Sequence, residues 1–415
     1  MSSFQPVRGT HDLLPDSFRD HKRVTDTARD IAVRYGFQEM TPPVFEFTQV
    51  FSRTMGETSD VVTKEMYTFA DRSGEEQISL RPEFTAGICR AFASNALYDQ
   101  APFKVFATGP LFRYERPQKG RQRQFHQIDM EILGVPGAAA DVEVLAVSQH
   151  ILEELGVAGD VTLMLNSLGD PESRAAYREK LIAHLEPFQA ELSEDSRERL
   201  HRNPIRVFDS KSERDQEIVA DAPVLMDYLN DASKAFFDEV CNGLTRLDIA
   251  FTLDPGLVRG LDYYTHTAFE FVTDTLGAQG AVIAGGRYDG LIEQLGGRPT
   301  PGIGWAGGVE RLAMMAGEAP AARRPVALIP LGAAADACAQ VLARDLRKAG
   351  YVIELGYSGN MKRRLNRANK AGAAAVVIIG DDEMAKDVAT VRDMISGEQS
   401  EKPVATLAES LAPYR

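Results

Sequence analysis

Residues 112–134 read FRYERPQKGRQRQFHQIDMEILG, and this stretch decides the fold. In its second half His126, Ile128, Met130 and Ile132 share one parity, while Gln127, Asp129 and Glu131 share the other. Strict alternation predicts a strand with one face on a core. The opposite face carries an amide and two carboxylates. Phe112–Arg116 alternates as well, with Arg113 and Glu115 facing one way and Phe112 and Tyr114 the other. Between them Pro117–Arg123 holds Lys119, Arg121 and Arg123 and no acid. The pattern predicts a hairpin with a cationic tip and a polar face. An antiparallel pair with one face in water alternates equally well. The mixture of arginine, amide and acids beside a basic loop instead suits a cleft that takes phosphate.

At 415 residues the chain is long enough for two or three cores. Its 44% apolar and 26% charged residues are ordinary for a globular protein. A net charge of −14 excludes a uniformly basic nucleic-acid coat and leaves only local patches for such contacts. Cys89, Cys241 and Cys338 form no C-x-x-C pair, which fits a reducing compartment and offers no thiolate metal site. The N-terminus lacks a signal-peptide core, and no apolar run reaches membrane-spanning length. The expectation is a cytoplasmic protein without a membrane partner.

Outward from the hairpin the pattern is mixed. Ser17–Tyr35 carries a helical stripe closed by Gly36; FQEMTPPVFEF reads as a strand broken by Pro42 and Pro43. Glu65–Ala70, Gln77–Leu80 and Phe103–Thr108 read as strands, and Phe84–Leu97 and Asp141–Leu155 as helices. Strands are again expected at Val161–Leu165 and Leu247–Leu253. The absence of regular strand–helix alternation argues α+β with an antiparallel sheet. From about residue 170 to 242 charge-rich helical patterns predict a helical insertion. LVRGLDYYTHTAFEF, residues 257–271, and AVIAGGRYDG, residues 281–290, predict a second hairpin bringing Arg259, Tyr263, Tyr264 and Tyr288 to one region. Aromatic residues in strands also serve as plain core packing.

In PGIGWAGGVERLAMM, residues 301–315, Gly302, Gly304 and Gly307 satisfy G-x-G-x-x-G. The dinucleotide fingerprint requires a strand before it and a βαβ unit around it, and GGRPTP precedes it instead, so that reading is rejected. The glycines then serve close approach of a ligand or a crowded sheet. Residues 317–325 form an Ala/Pro linker. The domain reading is 1–320 for the larger domain, 321–325 for the end of the linker, and 326–415 for a small α/β domain. From Pro325 to Arg415 there are 12 Lys/Arg against 11 Asp/Glu, whereas the rest of the chain carries 34 against 49. Lys362, Arg363, Arg364, Arg367 and Lys370 crowd one predicted helix, a candidate phosphate-backbone contact or a solvated face. P-loop, zincin and serine-hydrolase motifs are absent, and the seven histidines are dispersed along the chain without metal-ligand spacing, so no metal site is expected. What remains is a face with Arg113, Gln127, Glu131, Arg259, Glu83 and Arg311. Arginines suit a polyphosphate, and carboxylates with an amide suit a small ammonium ligand.

Over nearly its whole length the chain resembles class II aminoacyl-tRNA synthetases, specifically the histidyl-tRNA synthetases. The 112–134 stretch resembles their motif 2 and PGIGWAGGVERL their motif 3. The helix from Ser17 with the strand near Pro43 resembles motif 1, the dimer interface of that class. RGTHDLLP, LRPEFT, RGLDYY and AGGRYDG add matches, RGLDYY being the histidine-specific one. The resemblance implies a class II antiparallel sheet with flanking helices, a helical insertion and a C-terminal α/β anticodon-binding domain. It implies that the chain activates L-histidine with ATP and Mg²⁺ and transfers it to tRNA-His, as a homodimer. Arg113 and Arg259 would act on the α-phosphate as catalytic residues. Glu83, Thr85 and Gln127 would receive the histidine ammonium group, and Glu131, Tyr263, Tyr264 and Tyr288 would surround the ring, with Arg113 and Arg259 nearby. Glu115, Phe125 and Arg311 would complete the ATP site. Arg116, Gln118, Arg121, Lys362, Arg363 and Arg367 would meet tRNA. The chain departs from the family's usual R-P-E-G-T run at Phe84. A regulatory subunit of ATP phosphoribosyltransferase, a non-catalytic relative, is the alternative; retention of Arg259 and of a C-terminal domain counts against it.

Overall fold

The computed structural model describes residues 4–56, 59, 61–258, 263–277 and 280–415, apart from the side chain of Asp209. Arg259 and the rest of the 259–262 run therefore lie outside the described residues. The chain forms two compact units, Met1–Ala319 and Pro320–Arg415.

The larger unit is built on an eight-stranded sheet. Its spatial order is Gln38–Glu39, Phe103–Phe112, Gln124–Leu133, Gly302–Gly308, Ala281–Arg287, Thr265–Val272, Thr162–Ser167 and Thr252–Leu253. The six inner strands pair antiparallel, and the two short edge strands add in parallel. The central strand is Gln124–Leu133, and its parity divides the unit into two layers. Ile128, Met130 and Ile132 enter one core with Val24, Ala28 and Ile31 of helix Pro15–Arg34 and Val144, Leu145 and Ile151 of helix Ala139–Glu154. The face of Gln127, Asp129 and Glu131 turns toward helix Thr85–Ser94, whose Ile88, Cys89 and Phe92 belong to the second core.

Pairing is more continuous than alternation suggested. The strand expected over Phe103–Thr108 runs on to Phe112, pairing residue by residue from Phe103↔Leu133 to Phe112↔Gln124. Arg113–Arg116, expected as strand, belongs to the loop instead. Gly109 carries the ladder through at φ +151°, where a Cβ would crowd the Arg81 guanidinium, so glycine is required there. FQEMTPPVFEF splits into Gln38–Glu39 and Phe45–Phe47, the latter in a separate three-stranded sheet with Gln77–Leu80 and Thr68–Ala70. The strand expected at Leu247–Leu253 shortens to Thr252–Leu253.

No strand lies among the described residues between 171 and 246, where helices Pro171–Leu185, Glu194–Arg202, Glu213–Ala220 and Asp231–Arg246 follow one another. Each opens on a capping side chain: Asp170, Ser193, Ser212 and Asn230 accept from the backbone N–H three residues on. The last of these helices sends Phe237, Val240 and Leu244 into the core beneath the main sheet, so it is part of the sheet's helical layer.

The smaller unit has five strands in the order Ile353–Leu355, Val326–Pro330, Ala375–Ile379, Val388–Asp393 and Gln399–Pro403. The first three are parallel with helices Ala333–Lys348 and Met361–Lys370 between them, as alternation predicts. The last two add an antiparallel hairpin that the sequence reading missed.

Candidate active site

A cavity of about 240 Å³ opens on the polar face of the central sheet. Glu83, Thr85, Arg113, Glu115, Arg121, Phe125, Gln127, Tyr263, Tyr264 and Arg311 all line it, so residues from four separate stretches of sequence meet there. Their placement follows from local structure. Glu83 precedes helix Thr85–Ser94 and its Oε1 accepts the Ala86 N–H at 2.8 Å, satisfying one of the helix's orphan donors. Its Oε2 is buried without a protein partner. Arg113 donates from Nε to the Pro82 carbonyl at 3.0 Å, which fixes it beside Glu83, and its guanidinium lies 5.4 Å from the Phe125 ring centre. Arg311 donates to the carbonyls of Ala281 (2.5 Å) and Gly120 (3.3 Å), tying the Val309–Ala316 helix to the cationic loop. Glu115 pairs with Arg121 at 2.7 Å.

Beyond Gln127, whose Oε1 is buried and unpartnered, Asp129 and Glu131 continue the same strand face and are completely buried. Tyr288 donates its hydroxyl to Glu131, and the Thr85 hydroxyl is within hydrogen-bonding reach of both Glu83 and Glu131. Tyr263 and Tyr264 pack ring to ring at 4.6 Å, and Tyr263 meets Tyr288 edge-on at 5.8 Å. Burial raises Glu83, pushes Asp129 well above the usual carboxylate range and raises Glu131 to about 8. Carboxylic acids held this way ionise readily only when a cation or a set of donors arrives.

The glycines of the rejected dinucleotide match find their reason here. Gly304 pairs with Glu131 across the ladder, and a Cβ on it would overlap the Glu131 carboxylate; a Cβ on Gly302 would overlap the Tyr288 ring. They allow functional side chains to lie flat across the strand. Phe84 points away from the cavity into the second core, with the Arg81 guanidinium 4.4 Å above its ring, so the departure at this position leaves the cavity's lining intact.

Sequence reasoning overlooked three features. Arg287 is fully buried, pairs with Asp141, and donates to the Val135 and Gly137 carbonyls, anchoring the end of strand Ala281–Arg287 just before Tyr288. Histidines scattered along the chain converge in the fold: His21, His126 and Glu310 come within 4.8 Å of one another, against the expectation drawn from their spacing. Glu310 accepts both the backbone N–H of His126 and its Nδ1–H, each near 2.9 Å, so the carboxylate ties helix Val309–Ala316 to strand Gln124–Leu133. Asp129, noted only as part of an alternating face, is fully buried next to Glu131 on that face. Arg116 and Gln118 are exposed on the loop outside the cavity. In the smaller unit Lys362, Arg363 and Arg367 are exposed, whereas Arg364 turns inward to the carbonyls of Gly359 and Pro330.

Comparison with known proteins matches residues 9–312 to the histidyl-tRNA synthetase family model and residues 325–412 to an anticodon binding domain. A histidine–tRNA ligase of Rhodospirillum rubrum is 57% identical over 415 residues, covering all of both chains. One of Gluconobacter oxydans is 53% identical, again over the full length of both. The crystal structure of apo S. aureus histidyl-tRNA synthetase superposes with a TM-score of 0.84 at 33% identity, covering 98% of this chain and 99% of that one. The chain belongs to the histidyl-tRNA synthetase family.

Proposed function

We infer that the chain activates L-histidine with ATP to histidyl-adenylate and transfers the histidyl group to the 3′ end of tRNA-His. The observation that carries this reading is the meeting, in one cavity, of Arg113, Arg311 and Phe125 with the buried acid Glu83 and with Gln127, whose strand face continues to the buried acid Glu131. The histidine carboxylate attacks the α-phosphorus and pyrophosphate leaves. A ribose hydroxyl of the tRNA 3′ end then attacks the activated carbonyl and releases AMP. No protein nucleophile takes part, so catalysis is positioning and charge stabilisation.

Within this reading Arg113 holds the α-phosphate, with Arg259 opposite it. Phe125 and Arg311 sandwich the adenine and Glu115 lies at its edge, a stacking that a planar guanidinium supports. The unpartnered oxygens of Glu83 and Gln127, with Thr85, suit the α-ammonium group. Glu131, Tyr263, Tyr264 and Tyr288 surround the imidazole, and their buried polar atoms disfavour isosteres lacking ring nitrogens. Mg²⁺ accompanies ATP: the carboxylates Glu270 and Glu310 that line the cavity supply the hard oxygen donors that suit it, and the ion would neutralise phosphate charge. Arg116, Gln118 and Arg121 meet the acceptor end. Residues 1–320, with the insertion at about 170–242, form the catalytic domain. Residues 326–415, after the linker's end at 321–325, read the anticodon through Lys362, Arg363 and Arg367.

A homodimer is supported by Phe45, Phe47 and Phe69, which stand about half exposed on the small three-stranded sheet. The described residues include no helix long and apolar enough to cross a membrane, and we place the enzyme in the cytoplasm with its tRNA. The test is ATP–pyrophosphate exchange without tRNA against each amino acid. Exchange with histidine alone is expected; exchange with another amino acid would overturn the pocket, and none at all would favour the regulatory relative.

A further inference from the structure

We propose that Asp129 is a positioning residue of the amino-acid pocket: its carboxyl group donates to Glu131 and fixes that carboxylate for the ring of bound histidine. The inference rests on the reading of Glu131 as the ring's partner.

Asp129 and Glu131 are next neighbours on one face of strand Gln124–Leu133 and both are 0% exposed, so their carboxyl groups are buried side by side. Two carboxylates so placed must share a proton. The flanking strands give Asp129 nothing else: its cross-strand partners are Ala107 on one side and Ala306 on the other. Neither Asp129 oxygen has a donor among the described protein groups. The titratable groups facing it are Glu131 on its own strand, Glu83 just before helix Thr85–Ser94, Cys89 on that helix, and Tyr288 just past the end of strand Ala281–Arg287, two strands away. None of these is a cation. A buried acid with small apolar flanks and one polar neighbour serves that neighbour.

The consequence is orientational. Glu131 accepts from Tyr288 on one side, and its Oε1 is otherwise buried and unpartnered. With a second donor from Asp129, the directions in which the carboxylate can accept an N–H from a ligand are narrowed. A ring presenting N–H there is taken, and a ring without it leaves a buried acceptor unsatisfied. Removing the Asp129 proton would put two charges in contact and release that orientation.

The test uses the full-length enzyme and ATP–pyrophosphate exchange across pH, comparing wild type, Asp129→Leu, Asp129→Asn and Glu131→Gln. Asp129→Leu is expected to raise the KM for histidine by about ten- to a hundredfold, the range for a lost buried hydrogen bond to a charged group, with the KM for ATP within about twofold. Asp129→Asn keeps a donor and nearly the same shape, so its histidine KM near neutrality should stay within about threefold of wild type. Because an amide does not ionise, the alkaline limb of kcat/KM for histidine that belongs to the acid pair should vanish in this variant. Loss of the ligand's own ammonium proton affects both proteins alike. Wild-type histidine KM in Asp129→Leu, or superimposable pH profiles for wild type and Asp129→Asn, would overturn the inference. If the leucine variant does not fold, the asparagine profile decides alone. An unchanged histidine KM in Glu131→Gln overturns the reading of Glu131 and the inference with it. An impaired Glu131→Gln beside a normal Asp129→Leu overturns the inference alone.

Discussion

Replacing Gly304 by alanine is the sharpest probe of how the pocket is built. The new Cβ would overlap the Glu131 carboxylate and stand 2.5 Å from the Met130 carbonyl oxygen. The carboxylate can swing aside, but the carbonyl belongs to the ladder between Gln124–Leu133 and Gly302–Gly308 and has little room to move. Two effects follow. Crowding in a packed layer costs about 1–3 kcal/mol of stability. Turning Glu131 off its position removes a hydrogen bond to a charged group, about 1.5–3 kcal/mol, which is about ten- to a hundredfold in histidine affinity. ATP affinity should change little, because Arg113, Phe125 and Arg311 do not touch Gly304. Gly307→Ala supplies the comparison: its Cβ would meet Ile128, Ile283 and Trp305 side chains at 3.2 Å on the opposite face, so it should cost stability without selective loss of histidine binding. Urea unfolding gives the first effect, and separate KM values for histidine and ATP give the second. A Gly304→Ala enzyme with wild-type histidine KM, or a Gly307→Ala enzyme equally impaired, would refute the argument.

Other outcomes follow from the same geometry. Arg287→Met leaves the buried Asp141 without its cation and should destabilise the protein by about 3–5 kcal/mol in urea unfolding, because an uncompensated buried charge is costly. Adding Asp141→Leu should recover much of that loss. The histidine-free protein should lose stability as pH rises: Glu131 at about 8 holds a proton in the folded state that the unfolded chain has already released, so its contribution is full below the ordinary carboxylate range and lost as pH climbs toward 8. Melting curves with rising pH should show this fall, and Glu131→Gln should flatten it; a stability that grows with pH over that window would contradict the assignment. Arg259→Ala, chosen from the resemblance, should slow adenylate formation by about 10²–10³ in single-turnover assays, and a change within a few fold would remove the residue from the mechanism.

Much of this molecule was legible before folding. The parity of Gln127, Asp129 and Glu131 against Ile128, Met130 and Ile132 was correct in sense, because a half-buried strand imposes period two on its residues. The helical insertion announced itself through its charge-rich helical patterns, whereas the caps at Asp170, Ser193, Ser212 and Asn230 came to light only in the structure. The break expected after Thr108 was misplaced because Gly109 and Pro110 are usual strand-enders, and here the ladder accepts both. The terminal hairpin of the smaller unit escaped notice because Gln399–Pro403 is largely exposed and carries no apolar alternation.

The sequence by itself determined the two units, the antiparallel centre and the polarity of its cavity-side face, since these depend on local periodicity and on turn residues. Only the tertiary structure decided which polar groups are buried side by side. Asp129 reads as one more polar residue in an alternating strand until Ala107 and Ala306 are seen on either side of it and helix Thr85–Ser94 above it. His21, His126 and Glu310 are separated by more than a hundred residues at each step and meet only when a helix, a strand and a second helix pack. Burial and cross-strand neighbours are properties of pairing between distant segments, and it is burial that turns an ordinary carboxylate into a group able to hold its proton near neutrality.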